Sequence, residues 1–524
     1  MDTFQLVVME TSDIHGNVLP INYGTNSKAE LGIAKVATLL KQERQKHEHT
    51  ITIDNGDLIQ GTPLTYHYAK FQRELPNPMI TILNDLNFDA SVIGNHEFNY
   101  GLELLNQAVK QSKHPWLSAN IVNAETGEPY FGKPYLIKSY PNGPRVGILG
   151  LTTKYIPNWE KEEHIKGLSF EDVVETAKKW VKVLKEDEKV DLVVVSYHGG
   201  FERDLETGEP TETLTGENQG YQLCMEVEGI DVLLTGHQHR QIAGNKINGV
   251  LVVQPGCNGL TLGKVTVTFQ KEHSAYHVVE KESELLSVEG VEPDSHVVDT
   301  IQTYEEAVQE WLDQPIGHIK GDMTVTDPMA IRLGDNPLIE FINKVQMDAA
   351  GVDVSNTALF DNYSPGFPPN VTMRNVVANY IYPNTLIVLK VTGQIVKNAL
   401  ERSAGYFELR PDGSVDVSKD FTTPKPQHYN YDMWEGIEYE LDIRKPVGER
   451  VTRLVYKGKK LMPDEELHVV MNNYRAGGGG DYLMYKGCPV VKDIPIDVSE
   501  LIANYILEHK VIEATVNHNW KVIY

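Results

Sequence analysis

Short β-branched runs, each ending in a polar turn, recur through the first half of the sequence. Runs of four to six such residues bounded by Gly, Asn or Asp are typical of buried strands. Helix-like segments separate several of them, including GIAKVATLLKQERQK from residue 32 and FEDVVETAKKWVKVLKEDE from residue 170. Strand and helix patterns in alternation predict a layered α/β domain. The runs are LVVM at 6–9, TITI at 50–53, ASVI at 90–93, LVVVS at 192–196, DVLLT at 231–235 and VLVVQ at 250–254.

The chain of 524 residues is too long for a single compact core, so more than one domain is expected. LGKVTVTFQ at 262–270 is predicted to be the last strand of the first domain. From about residue 318 the composition changes to aromatic and proline-rich loops. We therefore predict a first domain over 1–290, a connecting segment over 291–318 that contains an amphipathic helix at 297–314, and a second domain over 319–524.

The overall charge excludes several classes of partner. With 73 acidic and 48 basic residues the net charge is −25, which argues against binding a nucleic-acid polymer or an anionic membrane. A small anionic substrate stays compatible, because bound divalent cations would reverse the local field. No apolar run reaches the roughly 20 residues that span a bilayer, and no signal-peptide pattern is present. A cytoplasmic protein is expected; a mature chain whose targeting segment was removed is the alternative.

Polar residues with metal-ligating side chains follow five of the predicted strands. Any single motif of this kind is more typical of surface polarity. Five at the carboxyl ends of five strands predict a functional site, because ligands of open α/β sheets gather there. Asp13 and His15, two residues apart in an extended segment, point to the same side. The candidate ligands are Asp13 and His15 in SDIHGN, Asp57 in DNGDLIQG, Asn95 in GNHEFNYG, His198 in SYHGG, and His237 and His239 in TGHQH.

The ligand types select the metal and the reaction. Imidazoles, carboxylates and an amide, with no thiolate, suit Mn²⁺, Zn²⁺, Fe²⁺ or Co²⁺ better than Ca²⁺ or Mg²⁺. Seven ligands exceed what one tetrahedral ion needs, but they fit two ions that share a carboxylate. Two metals about 3.5–4 Å apart can clamp the attacking and leaving oxygens of a displacement at phosphorus. The predicted chemistry is phosphoester hydrolysis.

At these residues the sequence resembles the calcineurin-type metallophosphoesterases, and within them the bacterial 5′-nucleotidase family. LVVMETSDIHGNV and FDASVIGNHEFN resemble the two signatures of that family. The resemblance implies a four-layer α/β/β/α sandwich followed by a C-terminal α+β substrate-binding domain. It also implies two divalent metals, with Mn²⁺ or Zn²⁺ favoured. One would be held by Asp13, His15, Asp57 and His239, and the other by Asp57, Asn95, His198 and His237.

The residue three positions after His96 points to a branch of that family. By resemblance, His96 stabilises charge on the phosphoryl group or protonates the leaving oxygen. The 5′-nucleotidases usually carry Asp three residues later to orient this histidine, whereas this chain has Asn99. NHEFNYGL instead resembles the branch of 2′,3′-cyclic-nucleotide 2′-phosphodiesterases with 3′-nucleotidase activity.

The second domain also resembles the substrate-binding domain of that branch. The resemblance implies that Tyr431 and Tyr474 sandwich the nucleobase, with Tyr429 a close competitor of Tyr431. Gly477–Gly480 would let the backbone approach a ligand, and Asp481 is a candidate partner of ribose hydroxyls. LFDNYSPGF lacks the phosphate-side arginine that 5′-nucleotidases carry, which leaves Asn362 as the candidate contact.

The expected function is two-metal hydrolysis of 2′,3′-cyclic nucleotides to 3′-nucleotides and then to nucleosides. A 5′-nucleotidase or UDP-sugar hydrolase that uses the same site is the alternative. A nucleotide-binding protein without catalysis is a third hypothesis, but such proteins usually lack some of the ligands. The expected partner is a small nucleotide.

Overall fold

The computed structural model describes residues 3–212, 214–273, 275–382, 384–423, 425–494 and 496–524. The chain forms two compact units. The first comprises Met1–Asn22 and Asn26–Val308, and the second comprises Tyr23–Thr25 and Gln309–Tyr524. No helix within the described ranges is both long and apolar enough to cross a membrane.

The first unit alternates strands and helices along most of its length. Its strands are β1 (Thr3–Thr11), β2 (Ile21–Asn22), β3 (Ser27–Lys28), β4 (Thr50–Asp54), β5 (Ala90–Val92), β6 (Trp116–Leu117), β7 (Ile121–Asn123), β8 (Tyr135–Ser139), β9 (Arg145–Thr152), β10 (Leu168–Phe170), β11 (Leu192–His198), β12 (Val232–Thr235), β13 (Gln241–Ile247), β14 (Val250–Pro255), β15 (Thr261–Glu272) and β16 (Ala275–Ser287). Its helices are α1 (Ile33–Lys46), α2 (Pro63–Phe71), α3 (Pro78–Asp85), α4 (Leu102–Gln111), α5 (Val173–Lys182) and α6 (Gly220–Glu226).

Two six-stranded sheets form the centre of this unit. Their strand orders are β16-β15-β1-β4-β5-β6 and β13-β14-β12-β11-β9-β8. Apolar side chains of both sheets, such as Val8 and Ile53 from one and Ile148 and Val194 from the other, share one buried cluster. Helices α5 and α6 pack on the outer face of the second sheet, and α1 packs against β15 of the first. This layering confirms the predicted α/β/β/α sandwich.

The strands that precede the candidate ligands are parallel within each sheet. β1 pairs in parallel with β4 and β4 with β5, while β11 pairs in parallel with β9 and β12. The carboxyl ends of parallel strands meet at one edge, so the loops after them are brought together. All six apolar runs in the sequence are strands of these sheets, which confirms that interpretation.

One strand prediction was wrong. β15 is not the last strand of the first unit, because β16 follows it and pairs with it antiparallel along its length. β16 lies at the edge of the sheet and most of its side chains are exposed or half-buried. An edge strand of this kind has no continuous apolar run, so its sequence, AYHVVEKESELLS, lacks the signal that predicted the other strands.

A long helix, α7 (Ser295–Leu312), follows in the region where the sequence predicted an amphipathic helix. The second unit combines helices with sheets whose strand pairs are mostly antiparallel, in keeping with the predicted α+β class. Its larger sheets have the orders β25-β19-β29-β22-β30 and β28-β27-β26-β32. The strands are β17 (Pro315–Lys320), β18 (Met323–Thr324), β19 (Val354–Ala358), β20 (Gly366–Phe367), β21 (Asn370–Thr372), β22 (Leu386–Thr392), β23 (Phe407–Leu409), β24 (Val415–Val417), β25 (Asp432–Glu435), β26 (Glu438–Asp442), β27 (Val451–Tyr456), β28 (Lys459–Lys460), β29 (Glu466–Asn472), β30 (Val490–Ile494), β31 (Val511–Glu513) and β32 (Trp520–Ile523). The helices are α8 (Pro328–Leu333), α9 (Pro337–Ala350), α10 (Met373–Asn379), α11 (Gly393–Ala404), α12 (Asn473–Ala476) and α13 (Val498–His509).

Candidate metal centre

The structure brings the seven candidate ligands together in the first unit as two neighbouring groups. The triads are Asp13 with His15 and His239, and Asp57 with His198 and His237; within each, one ligand atom per residue lies within 4.8 Å of the others. The amide oxygen of Asn95 joins the second triad. It lies 3.1 Å from Nε2 of His198 and 2.9 Å from Nδ1 of His237.

Asp57 stands between the two triads. Its Oδ2 atom lies 3.2 Å from Nε2 of His198 in one triad and 3.9 Å from Nε2 of His15 in the other. Its Oδ1 atom accepts a hydrogen bond from the backbone N–H of His96 at 2.8 Å, which fixes the orientation of the carboxylate. One carboxylate oxygen is therefore placed to serve two cations.

Hydrogen bonds set which nitrogen of each imidazole faces inward. Nδ1 of His198 donates to the carbonyl oxygen of Asn55 at 2.7 Å, and Nδ1 of His15 donates to that of Gln60 at 3.2 Å. Their Nε2 lone pairs are then free to bind metal, because a neutral imidazole carries one proton. Nε2 of His15 lies only 3.1 Å from Nε2 of His239, a separation typical of two ligands of one cation.

His237 is held in the opposite tautomer. Its Nε2 atom contacts a carboxylate oxygen of Glu217 at 3.0 Å, and the carboxylate can only accept. Nδ1 of His237 is left as the lone pair that faces Asn95 and the second triad. Glu217, which the sequence analysis did not single out, thus orients a candidate ligand.

The electrostatics of the centre favour positive charge beside Asp57. Burial lowers the pKa of the His15 imidazole to about 3, so this ring is neutral. Burial raises the pKa of Asp57, but the neighbouring His198 and His96 outweigh that effect and hold it well below its usual value. Burial also lowers the pKa of His198, yet Asp57 reverses the effect and raises it to about 10. A positive charge between Asp57 and His198 is thus favourable, and a metal ion would supply it in place of a proton.

The backbone at the centre is locally strained. Non-glycine residues with positive φ are uncommon and cluster at functional sites, where the surrounding fold holds them. Five of the seven candidate ligands adopt this conformation: Asp13 (φ 53°), His15 (49°), Asp57 (55°), His237 (65°) and His239 (58°).

Two glycines of the ligand motifs have neighbouring atoms so close that no side chain would fit in their place. A Cβ atom on Gly94 would lie 2.3 Å from Oδ1 of Asp57, and one on Gly236 would lie 2.1 Å from the hydroxyl of Ser12. That hydroxyl donates to Asp13 at 2.5 Å, so a side chain at position 236 would displace a candidate ligand.

A buried carboxylate, Glu97, holds two of the ligand loops together. Its Oε2 atom accepts the backbone N–H groups of Asp57 at 2.8 Å and Gly94 at 2.7 Å. Its Oε1 atom accepts those of Leu58 at 2.7 Å and Ile59 at 3.3 Å. Glu97 is fully buried, so these donors replace the water that an anion would otherwise need. The sequence shows only an acid beside Asn95 and His96, which does not reveal this role.

His96 contacts Asn99, and Asn99 contacts a carboxylate that the sequence analysis missed. Nδ2 of Asn99 donates to Glu160 at 2.7 Å, which fixes the amide so that Oδ1 faces Nδ1 of His96 at 2.7 Å. Because an amide oxygen only accepts, Nδ1 of His96 carries the proton. Glu160 is 61 positions from Asn99, and no local pattern in the sequence marks it. An aspartate at position 99 would contact His96 directly. In this chain the carboxylate belongs to Glu160, and it acts on His96 through the amide of Asn99.

One predicted nucleobase contact was wrong. Tyr431 is fully buried in the core of the second unit, and its hydroxyl donates to the carbonyl oxygen of Arg332 at 2.9 Å. A ring in this position cannot stack on a ligand. Tyr429, its competitor in the sequence, is half-buried and its ring centroid lies 6.3 Å from that of Tyr474.

Gly479 brings the backbone close to Tyr474. A Cβ atom on Gly479 would lie 2.5 Å from the Tyr474 ring, so this part of the tetraglycine is packed beneath a protein aromatic ring. Asp481, which follows the tetraglycine, has a half-exposed side chain 3.3 Å from the guanidinium of Arg402.

Asn362 is already engaged at both ends of its amide. Its Oδ1 accepts from Arg332 at 2.7 Å and its Nδ2 lies 3.0 Å from Nε2 of His428. The segment LFDNYSPGF contains no arginine of its own, but Arg332 of α8 contacts it. Arg332 is 1% exposed and also donates to the carbonyl oxygens of Leu359 and Asp361, so it holds the loop from inside.

Replacing Glu97 with Gln should weaken the centre. The amide NH₂ would face two backbone N–H donors, and the loops after β4 and β5 should lose about 2–4 kcal/mol of local stability. Hydrogen–deuterium exchange of the Asp57, Leu58 and Gly94 amides and calorimetric titration with Mn²⁺ measure the two effects: faster exchange and weaker binding.

The matched control is Glu125→Gln, at an exposed position of the same unit. It should change local stability by less than about 0.5 kcal/mol. Equal exchange and equal Mn²⁺ affinity in the two variants would contradict the assigned role of Glu97.

Comparison with known proteins agrees with this centre. Residues 6–241 match the calcineurin-like phosphoesterases, and residues 315–487 match the 5′-nucleotidase C-terminal domain. The 2′,3′-cyclic-nucleotide 2′-phosphodiesterase/3′-nucleotidase of Salmonella typhimurium is 30% identical, over 91% of this chain and 82% of that protein. The trifunctional nucleotide phosphoesterase protein YfkN of Bacillus subtilis is 28% identical over 99% of this chain, which spans only 39% of that protein.

A solved structure is similar over nearly the whole chain. A Staphylococcus aureus protein assigned as a 5′-nucleotidase, crystallised in complex with alpha-ketoglutarate, is 35% identical with a TM-score of 0.91. The similarity covers 99% of this chain and 100% of that one. Calcineurin-like phosphoesterases use a dinuclear divalent metal site, and the donor set of the two triads fits such a site. The chain therefore belongs to the calcineurin-like phosphoesterases that carry a 5′-nucleotidase C-terminal domain, a family of metal-dependent phosphoester hydrolases.

Proposed function

We propose that this chain hydrolyses nucleoside phosphoesters, opening 2′,3′-cyclic nucleotides to 3′-nucleotides and then releasing nucleosides. The observation that carries the proposal is the pair of ligand triads joined by Asp57, with His96 beside them and oriented through an amide. The relatives named as 2′,3′-cyclic-nucleotide 2′-phosphodiesterase/3′-nucleotidases, at 28–30% identity, support the choice of substrate.

The proposed ligand sets follow the two triads. One metal would be held by Asp13, His15, Asp57 and His239, and the other by Asp57, Asn95, His198 and His237. Manganese or zinc fits these nitrogen and oxygen donors. Bound there, two divalent ions would supply a water of lowered pKa and neutralise charge on the phosphoryl group.

His96 is the proposed catalytic residue among the side chains that are not ligands. Its Nδ1 proton is held by Asn99, so Nε2 is the atom available to the substrate. In the protonated ring Nε2–H would donate to a phosphoryl oxygen or to the leaving oxygen. Asn99 and Glu160 are positioning residues that keep the ring in this orientation.

In the second unit we assign nucleoside binding to Tyr429 and Tyr474. Both rings are half-buried and near each other, and aromatic stacking accepts any base. Asp481 is the proposed partner of ribose hydroxyls, and Asn362 is proposed to contact the substrate while Arg332 and His428 fix its amide.

The proposal also assigns roles along the chain. Residues 1–290 carry hydrolysis, 291–318 connect, and 319–524 bind the nucleoside. The boundary between the compact units, at Val308 and Gln309, falls within the connecting segment.

Parallel turnover assays with Mn²⁺ test the function. Purified protein is given 2′,3′-cyclic AMP, 3′-AMP, 5′-AMP and UDP-glucose, and chromatography follows the products. We expect the cyclic and 3′ substrates to turn over fastest, and His237→Ala or Asn95→Ala to abolish hydrolysis of every substrate. Faster turnover of 5′-AMP or UDP-glucose would favour a 5′-nucleotidase or UDP-sugar hydrolase. Unchanged turnover in both variants would reject the centre itself.

Replacing Glu160 with Gln should lower kcat by about tenfold or more, since outer partners of a site histidine typically contribute at this level. A glutamine can donate to Asn99, so the amide of Asn99 is free to flip and His96 loses its fixed tautomer. KM and bound metal should stay unchanged, because the hydrogen bonds of Glu160 go to Asn99, Lys161 and His164 and not to either triad.

Glu162→Gln, at an exposed position two residues along, is the matched control and should retain kcat. Asn99→Asp in the Glu160→Gln background should restore kcat, because it places a carboxylate directly on His96 and the glutamine amide can donate to that carboxylate. An unchanged kcat in Glu160→Gln would show that Asn99 needs no further support.

Replacing Tyr429 or Tyr474 with Ala should raise KM by about five- to a hundredfold, the equivalent of one lost base stack. Changes in kcat should be small, because stacking is the same in the ground state and the transition state. Phe variants at both positions keep the ring and should keep KM. An unchanged KM in both Ala variants would remove these tyrosines from the nucleoside site.

A further inference from the structure

A second group of buried acids lies in the second unit, far along the chain from the histidine triads. One carboxylate oxygen each of Asp335, Glu340 and Glu435 lies within 4.8 Å of the others. Asp335 lies between α8 and α9, Glu340 in the first turn of α9, and Glu435 at the end of β25. Glu340 is 1% exposed and Glu435 is 3% exposed, so these anions are almost fully removed from water.

The acids are held in place by the segment before β32. The backbone N–H of His518 donates to Oδ2 of Asp335 at 2.7 Å. The side chain of Asn517 donates to Oε2 of Glu435 at 2.8 Å, and its backbone N–H donates to Glu340 at 2.7 Å. Each hydrogen bond fixes one oxygen of its carboxylate and thereby also sets the orientation of the other oxygen.

Oxygens on this cluster remain without a donor. Among the atoms that the structure describes, Oε1 of Glu435, Oδ1 of Asp335 and the amide oxygen of Asn519 are buried and have no hydrogen-bond partner. Asn519 lies beside the cluster, since its Nδ2 donates to the carbonyl oxygens of Trp434 and Ile437. Native structures rarely leave buried polar atoms unpaired, so the unpaired oxygens of Glu435 and Asp335, with that of Asn519 on a neighbouring residue, point to a bound cation or proton at this cluster.

The charges near the cluster do not balance. Lys344 pairs with Glu340 and is 43% exposed, so it offsets only part of three negative charges. Burial raises the pKa of Glu435 to about 7, and the charges of Asp335 and Glu340 add to the rise. Burial raises the pKa of Asp335 as well. A proton shared between two carboxylates would satisfy two oxygens, but it would leave the Asn519 oxygen unpaired.

We propose that Asp335, Glu340, Glu435 and Asn519 form a binding site for a hard divalent cation, with calcium as the ion that fits best. Calcium takes six to eight oxygen ligands from carboxylates, amide carbonyls and water, in flexible geometry. The cluster offers only oxygen, whereas the centre in the first unit offers imidazole nitrogen, so the two sites select different metals. Asp335 is half-buried, which leaves a side open to water ligands. The bound ion would join β25 and α9 to the segment 515–519.

Calorimetric titration of the full chain with Ca²⁺, after saturation of the first centre with Mn²⁺, tests the site. We expect one calcium ion to bind the wild type. Glu435→Gln has the shape of the protonated acid and should fold, yet it should weaken calcium binding by about tenfold or more. Asp335→Asn, at a less buried position, is the second ligand variant and should do the same.

His237→Ala is the matched control, because it damages the first centre and should leave calcium binding intact. Tb³⁺ emission excited through tryptophan gives a direct readout, since Trp434 and Trp520 adjoin Glu435 and Asn519 in sequence. The emission should be displaced by Ca²⁺ and absent from Glu435→Gln. No calcium binding by the wild type, or equal binding by Glu435→Gln and Asp335→Asn, would overturn the proposal and leave a shared proton as the occupant.

Discussion

The carboxylate of Glu97 is the contact on which the metal centre depends. Its two oxygens accept N–H groups from the loops after β4 and β5, which carry Asp57 and Asn95. Burial and the negative charge of Asp57 raise the pKa of Glu97, while the N–H donors of Leu58 and Asp57 lower it. The N–H donors therefore stabilise the carboxylate only while both loops keep their shape. Loop geometry and side-chain charge at this point stabilise each other.

Metal binding and folding are coupled at such a centre. Asp13, Asp57 and Glu97 are all buried within one region, and His15 and His239 bring their nitrogens to 3.1 Å. Positive φ angles at most of the ligands add conformational cost. A cation that binds this arrangement and not the unfolded chain stabilises the folded state by its binding free energy. The centre is thus assembled at the expense of local stability that its ligand restores.

What the sequence predicts well is local. Asp13, Asp57 and His237 each follow an apolar run by a few residues, so one pattern reveals both the strand and the candidate ligand. The prediction that Tyr431 contacts the nucleobase failed, because a stretch of polar and aromatic residues does not show which of its rings faces the core. Glu160 could not be found, because its partner Asn99 is 61 residues away and only the fold brings them together. β16 was missed for a different reason: an edge strand buries few side chains, so its sequence contains no continuous apolar run.

Ligand chemistry separates the two acidic regions of the molecule. Both contain buried carboxylates, and burial alone raises the pKa of an acid and favours its neutral form. In the first unit, imidazoles reverse that tendency at Asp57 and provide nitrogen donors beside it. In the second unit, Lys344 is the cation that lowers the pKa of Glu435, and it is too exposed to compensate three carboxylates. An all-oxygen cluster of this kind can stay neutral by taking up protons or stay ionised by holding a hard cation. The unpaired amide oxygen of Asn519, which no proton transfer between carboxylates satisfies, favours the cation.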